Sequence, residues 1–184
     1  MQLQLNAFEK SIDNPALLPV LEPIKEQLLK IIKETKNLTF DLSPPVLYDF
    51  GFQEALQTLA KSVESKHNIN IRAFFEGEMD IFDDEIKVIL YRNLKELIHN
   101  SIKHADAKNI TMHLKSSPSG LNVELRDDGV GFDADNYINE ASSSDGFGLF
   151  DIKEKLNHLG GHLIIDSAPG KGTSIFMQVP VKSL

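Results

Sequence analysis

The sequence predicts an α/β protein, a two-layer sandwich in which a mixed β-sheet is covered on one face by helices, preceded by an N-terminal helical segment. Three observations lead there. Several short stretches alternate apolar and polar residues with the period of two that a half-buried strand requires. Between them lie longer stretches whose apolar residues return every three or four positions, as on a helix with one buried stripe. Hairpin-linked strands with helices between them then favour a mixed sheet over a parallel one.

Taken in order, the chain opens with Leu3, Leu5, Ala7 and Phe8 and meets the breaker "SIDNP", so residues 1–14 read as the tail of an element. From Leu17 the apolar residues Leu17, Leu21, Ile24, Leu28, Ile31 and Leu38 recur at steps of four and three, with Thr35 filling the gap. That spacing is the seam of a helical bundle or coiled coil. Pro19 and Pro23 interrupt its start, so the regular helix is expected from Pro23 to Lys36. "DLSPPVLYDFG" breaks the pattern through Pro44, Pro45 and Gly51 and reads as a linker. The expected division is therefore 1–40 and 41–184.

Beyond the linker, Phe52 to Lys66 reads as helix, "NINIRAFFEG" as strand and Asp84 to Ala105 as a long helix. "KNITMHLKSS" and "GLNVELRDD" form a hairpin across "SPSG", with Ile110, Met112 and Leu114 on one apolar face. Asp133 to Asp145 is polar, lacks a periodic apolar face and reads as a loop. A helix on Leu149, Ile152, Leu156 and Leu159 follows "GFG", and the chain finishes with two strands about "PGKG".

Composition narrows the function. At 184 residues with 41% apolar content, the chain is long enough to bury roughly 70% of its unfolded surface. No apolar run approaches the ~20 residues of a membrane span, and "MQLQLNAFEK" lacks the basic and apolar regions of a secretory signal. A cytoplasmic location is expected. The absence of cysteine excludes disulfides, thiolate metal sites and a cysteine nucleophile. A formal charge of -8 without a dense Lys/Arg cluster argues against nucleic acid as a partner.

Four stretches could carry chemistry. On the long helix, Ile86, Leu90, Leu94, Leu97, Ser101 and Ala105 make the buried stripe, while Asn93, Glu96, Asn100 and Lys103 gather on another face. A solvated face would explain that set, but an amide oxygen suits Mg²⁺, an ammonium suits phosphate, and a carboxylate can position a nucleophile. "RDDGVGF" ends a strand in Asp127 and turns through Gly129 and Gly131, either as a plain glycine turn or to let the backbone approach a ligand. "GVGFDA" also fits a relaxed dinucleotide fingerprint, but a polar loop follows it where a helix is required. "GFGL" opens a helix whose first N–H groups could meet phosphate, and "PGKGT" reads as a hairpin turn.

The order of these four stretches resembles the N box and glycine boxes of the GHKL ATPase superfamily, with its Bergerat ATP-binding fold. "YRNLKELIHNSIKHA", "DDGVGF", "GFGLFDIKEKLNHLGG" and "APGKGT" are similar to the catalytic domain of sensor histidine kinases, particularly the nitrate-sensor and desaturase-thermosensor subfamily, and "LSPPVLYDFGFQEAL" resembles its linker. The resemblance covers Asp41 to Val181. It implies ATP and Mg²⁺ as cofactors, with Asn100 on the metal, Glu96 positioning or activating the attacking histidine and Lys103 on phosphate. It further implies that Asp127 accepts from the adenine amino group, and that Gly129 and Gly131 admit the ring. Phe132 to Phe147 would be the ATP lid, Gly146, Gly148 and Leu149 would meet the phosphates, and Thr173 would complete the adenine pocket.

Asp151, Lys153 and Lys155 depart from the family pattern. None of His67, His99, His104, His113, His158 or His162 precedes an acidic residue, as a phosphoacceptor histidine does in the family, and none lies before the linker. Residues 1–40 are thus expected to be the end of one bundle helix and the whole of a second. His99 and His104 are expected to pack or cap. The implied function is the ATP-binding catalytic part of a two-component histidine kinase, a phosphotransferase acting on a phosphoacceptor histidine helix outside this chain or in trans, and unable to label itself. A response-regulator receiver domain is the implied further partner, and homodimerisation stays open. The rivals are a non-kinase ATP-binding regulatory module and an anti-sigma-factor type serine kinase.

Overall fold

A computed structural model describes residues 23–24, 26–31, 45–80, 82–134 and 147–180. The chain divides into two units, Met1–Pro44 and Pro45–Leu184. In the first, the described residues are helical, and three seam positions, Ile24, Leu28 and Ile31, are exposed. The remainder of the predicted seam, the first part of the predicted linker, residues 135–146 and hence Gly146 lie outside the described residues.

The second unit begins with α1, Pro45–Lys66, which is broken at Gly51 by a φ of 84°. The sequence alone reads residues 45–50 as linker, whereas they are helical. Proline is pre-set for a first helical position, and a glycine free to take positive φ ends the short helix without a side-chain clash. The helix restarts at Phe52, whose backbone N–H donates to Asp80 Oδ1 at 3.0 Å. A remote carboxylate thus satisfies one of the donors that every helix start leaves unpaired.

Then come β1 (Asn70–Glu76), α2 (Asp84–Lys103), β2 (Asn109–Ser117), β3 (Gly120–Asp127), α3 (Phe147–His158), β4 (His162–Ser167) and β5 (Thr173–Pro180). The five strands form one sheet in the order β1-β2-β3-β5-β4. Pairing is parallel for β1 and β2, because α2 carries the chain between them, and antiparallel elsewhere. This is the predicted mixed sheet.

One face of the sheet makes the core. Ile110, Met112, Leu114, Leu121, Val123, Leu125, Ile175, Met177 and Val179 are buried there with Phe52, Leu56, Leu90, Leu94, Ile152 and Leu156 from the helices. Each such side chain contributes about 1.5–3 kcal/mol by leaving water. On the opposite face Phe74, Ile164 and Phe176 are exposed. Phe74, His113, Glu124, Phe176 and Ile164 follow one another in register across it, with the Phe74 and His113 rings stacked at 4.6 Å. Asp84 and Glu85 in the first turn of α2 and Lys103 in its last oppose the partial charges of the helix ends. The core stripe of α2 therefore turns its polar line towards the end of the sheet where β3 finishes and β5 begins.

Candidate functional site

At that end lies a cleft of about 650 Å³, walled by α2, the end of β3, the start of β5 and the first turn of α3. The predicted line on α2 is one wall: Glu96, Asn100 and Lys103 all border the cleft. Asn93 breaks from that line. The sequence groups it with the polar face, but it is only 2% exposed and its side-chain Nδ2 is buried without a hydrogen-bond partner. A step of three residues turns about 300°, so Asn93 stands nearer the apolar stripe than Glu96 does.

Asp127 forms the floor. Its side chain is buried, 5% exposed, and both oxygens are held: Oδ2 accepts from the Ser101 hydroxyl at 2.8 Å and Oδ1 from the Gly129 N–H at 2.9 Å. Ser101 Oγ also lies 3.2 Å from the Leu97 carbonyl, but its single proton is better spent on the nearer, charged acceptor. Ser101 was legible only as a stripe residue. A hydroxyl at a core position signals a buried hydrogen bond, since buried polar groups are almost always paired.

The glycines are fixed by close approach. A Cβ on Gly129 would lie 2.4 Å from the Ala105 carbonyl oxygen, and one on Gly131, at φ 61°, would lie 2.2 Å from that of Ala168. Val130 N–H donates to the Ala105 carbonyl at 2.8 Å and Gly170 N–H to that of Val130 at 2.6 Å, so the "GVG" turn is stitched to both neighbours. Ser167, which no sequence pattern marks, completes the clamp. Its hydroxyl accepts from Phe132 N–H at 3.0 Å and lies 3.0 Å from both the Gly172 carbonyl and Thr173 Oγ1. Thr173 is buried opposite Asp127 in the β3–β5 ladder.

Asp128 secures the loop from α2 into β2. Its carboxylate accepts from the backbone N–H groups of Lys108 and Asn109, both at 2.8 Å, and from Asn109 Nδ2 at 2.7 Å. Those donors, the Asn109 side chain foremost, hold its carboxyl below the usual range.

Gly148 and Leu149 reach the cleft from the start of α3; Gly146 lies outside the described residues, and Gly129 acts from behind, through Asp127. A Cβ on Gly148 would lie 3.6 Å from Glu96 Oε1 and 3.8 Å from Asn100 Nδ2, so α3 starts against the polar line of α2. His99 and His104 are exposed and border the cleft, which corrects the expectation that they pack; the His104 backbone does cap α2, donating to the Asn100 carbonyl. Asp151 and Lys155 form an exposed i,i+4 pair at 2.5 Å. Glu96 and Gly148 also border a second cleft of about 350 Å³, together with Arg92, Asn93, Asp151, Ile152 and Lys155.

The arrangement brings a buried carboxylate acceptor into one cleft with the amide and ammonium groups of the α2 wall and the start of α3. Such a cleft suits a ligand with an amino-bearing ring and an anionic tail.

Comparison with known proteins agrees. Residues 85–183 match the family described as "Histidine kinase-, DNA gyrase B-, and HSP90-like ATPase". The oxygen sensor histidine kinase NreB of Staphylococcus carnosus is 25% identical over 98% of this chain and 51% of its own. The sensor histidine kinase ComP of Bacillus subtilis is 32% identical over 93% of this chain and 22% of its own. The chain thus spans about half of one relative and under a quarter of the other. In fold, the crystal structure of the ATP-binding domain of PrrB from Mycobacterium tuberculosis is similar with a TM-score of 0.55, at 16% identity, covering 71% of this chain and 93% of that one.

Proposed function

Because the chain belongs to the histidine kinase-, DNA gyrase B- and HSP90-like ATPases, we propose that it is the ATP-binding catalytic part of a sensor histidine kinase, passing the ATP γ-phosphoryl group to a histidine on a helical phosphoacceptor segment. The observation that carries this reading is the buried Asp127 carboxylate, fixed by Ser101 and Gly129 at the floor of a cleft whose α2 wall bears Glu96, Asn100 and Lys103. Asp127 accepts from the adenine amino group, because both of its oxygens are already oriented by Ser101 and Gly129. Lys103 and the N–H groups of Gly146, Gly148 and Leu149 take the phosphates.

Among the described residues, no three His, Cys, Asp or Glu side chains come together to hold a metal. Mg²⁺ keeps its waters and is bound mainly through substrate phosphates and one or two protein oxygens, so an amide oxygen on the α2 wall fits it. Asn100 would supply that amide oxygen. The bound ion would neutralise charge on the transferring phosphoryl group.

In the transfer, a lone pair on the acceptor imidazole forms the N–P bond while the bond from the γ-phosphorus to the β,γ-bridging oxygen breaks and ADP leaves. Glu96 accepts the proton on the other ring nitrogen. A receiver domain of a response regulator is the onward partner, and the cytoplasm, where ATP is abundant, the place of action. No described helix is long and apolar enough to cross a membrane.

Calorimetric titration of ATP with and without Mg²⁺ tests the site. Binding that depends on Mg²⁺ and is lost in Asn100→Asp and Asp127→Asn is expected. Transfer of labelled phosphate to an added phosphoacceptor bundle then separates the kinase from an ATP-binding regulatory module, which would bind nucleotide and transfer nothing.

A further inference from the structure

Asn93 stands on the core side of α2, where leucine would fill the space at no polar cost. Its Nδ2 is buried with no hydrogen-bond partner, and removing a donor from water without replacing the bond is destabilising. A sequence that keeps such a group breaks a packing rule, and broken rules concentrate at functional sites. Asn93 borders the second cleft together with Glu96, three residues on, and side chains at i and i+3 are neighbours on a helix surface. Glu96 and Gly148 border both clefts. An in-line displacement brings the nucleophile in opposite the leaving group, and a second cleft that shares Glu96 and Gly148 with the larger one gives an acceptor ring a place to enter beside a nucleotide held there. The nearby Lys155 is already engaged by Asp151.

Resting on the kinase reading above, we infer that Asn93 is a positioning residue for phosphoryl transfer. When the acceptor ring occupies the second cleft, Asn93 Nδ2 donates to the Glu96 carboxylate and holds it where it accepts the ring N–H. The imidazole lone pair then forms the bond to the γ-phosphorus, the phosphorus–oxygen bond to ADP breaks, and the ring proton passes to Glu96. Asn93 itself touches neither nucleotide nor reacting atoms.

The test uses free imidazole as acceptor and follows ADP release from Mg-ATP in the wild-type chain and in Asn93→Leu, Asn93→Ala and Asn93→Ser. Asn93→Leu is expected to melt above wild type. Both Asn93→Leu and Asn93→Ala are expected to lose about tenfold in the imidazole-dependent kcat, the scale of one hydrogen bond to a charged group, with the KM for ATP unchanged. Asn93→Ser, which differs from Asn93→Ala by one hydroxyl donor, should recover part of the rate. Wild-type rates in Asn93→Leu and Asn93→Ala would overturn the inference, as would loss in Asn93→Leu alone, which would mean a blocked cleft. Imidazole without effect on a chain that binds Mg-ATP and phosphorylates a bundle would overturn it too. Failure to bind ATP, or to phosphorylate any bundle, would instead count against the kinase reading.

Discussion

Ser101→Ala tests the floor of the cleft most directly. The change removes one oxygen and keeps the helix, since alanine is the best helix former. What is lost is the 2.8 Å donation to Asp127 Oδ2, between two side chains that are 3% and 5% exposed. A hydrogen bond to a charged group contributes about 1.5–3 kcal/mol. The loss should stay below the ~3–5 kcal/mol of a fully unpaired buried charge, because Gly129 N–H still holds Oδ1 at 2.9 Å. For a domain of this size the melting temperature should fall by about 5–10 °C, readable by calorimetry or circular dichroism. The carboxylate also loses its orientation, so ATP affinity should fall about five- to tenfold, or about 1–1.4 kcal/mol, in a titration with Mg²⁺. A variant that melts and binds ATP like wild type would refute the claim that Ser101 fixes Asp127.

Three further changes probe the frame around the cleft. Gly131→Ala sets a Cβ 2.2 Å from the Ala168 carbonyl oxygen at a positive φ, so ATP binding should be lost and the melting temperature lowered; unchanged affinity would show that the turn can move aside. Asp80→Ala removes the acceptor for Phe52 N–H and should cost about 1 kcal/mol in urea unfolding, with ATP affinity retained. For Asp128, whose folded carboxyl is held below its unfolded range, the contribution is complete above the unfolded pKa and disappears as pH falls through the lower folded value. Asp128→Asn should therefore melt below wild type at neutral pH, the gap closing in acid; a constant gap would remove titration of Asp128 from the account.

Much of this was legible in the sequence because period and chemistry pointed the same way. The α2 stripe is buried at Ile86, Leu90, Leu94, Leu97 and Ser101, as its spacing requires, and Ala105 is buried just past the helix end at Lys103; the same spacing brings Glu96, Asn100 and Lys103 to one wall. Asp127, Gly131, Gly148 and Thr173 meet them there, although Asp127 and Thr173 are far apart in the chain. What escaped were contacts that no periodicity encodes. Ser167 joins the "GVG" and "PGKG" turns, and Asp80 caps a helix 28 positions away. Asn93 escaped for a different reason: a polar residue on a helix boundary is assigned to the wet face by pattern, while its burial is decided by what packs against it. The helical residues 45–50 were hidden by a proline–proline pair that reads as a breaker but also starts a helix well.

The floor and the α2 wall of the cleft are built on different principles, and this separates what mutations there should do. At the Asp127 floor each recognition group is locked from behind: Ser101 and Gly129 hold the carboxylate, and Ser167 ties the backbone at Phe132 to Thr173. Preorganised groups of this kind cost nothing to align when the ligand arrives, but their loss weakens the fold as well as the binding. On the α2 wall Glu96 and Lys103 are exposed, so under the proposed kinase function their side chains are free to follow an acceptor. Surface substitutions away from caps and networks usually change stability by only about 0.5 kcal/mol. Glu96→Gln and Lys103→Ala should therefore leave the melting temperature near wild type while lowering phosphoryl transfer. Ser101→Ala and Gly131→Ala should lower both melting temperature and affinity. A Glu96→Gln variant that loses stability in step with activity would mean that the catalytic wall is as rigidly framed as the recognition floor.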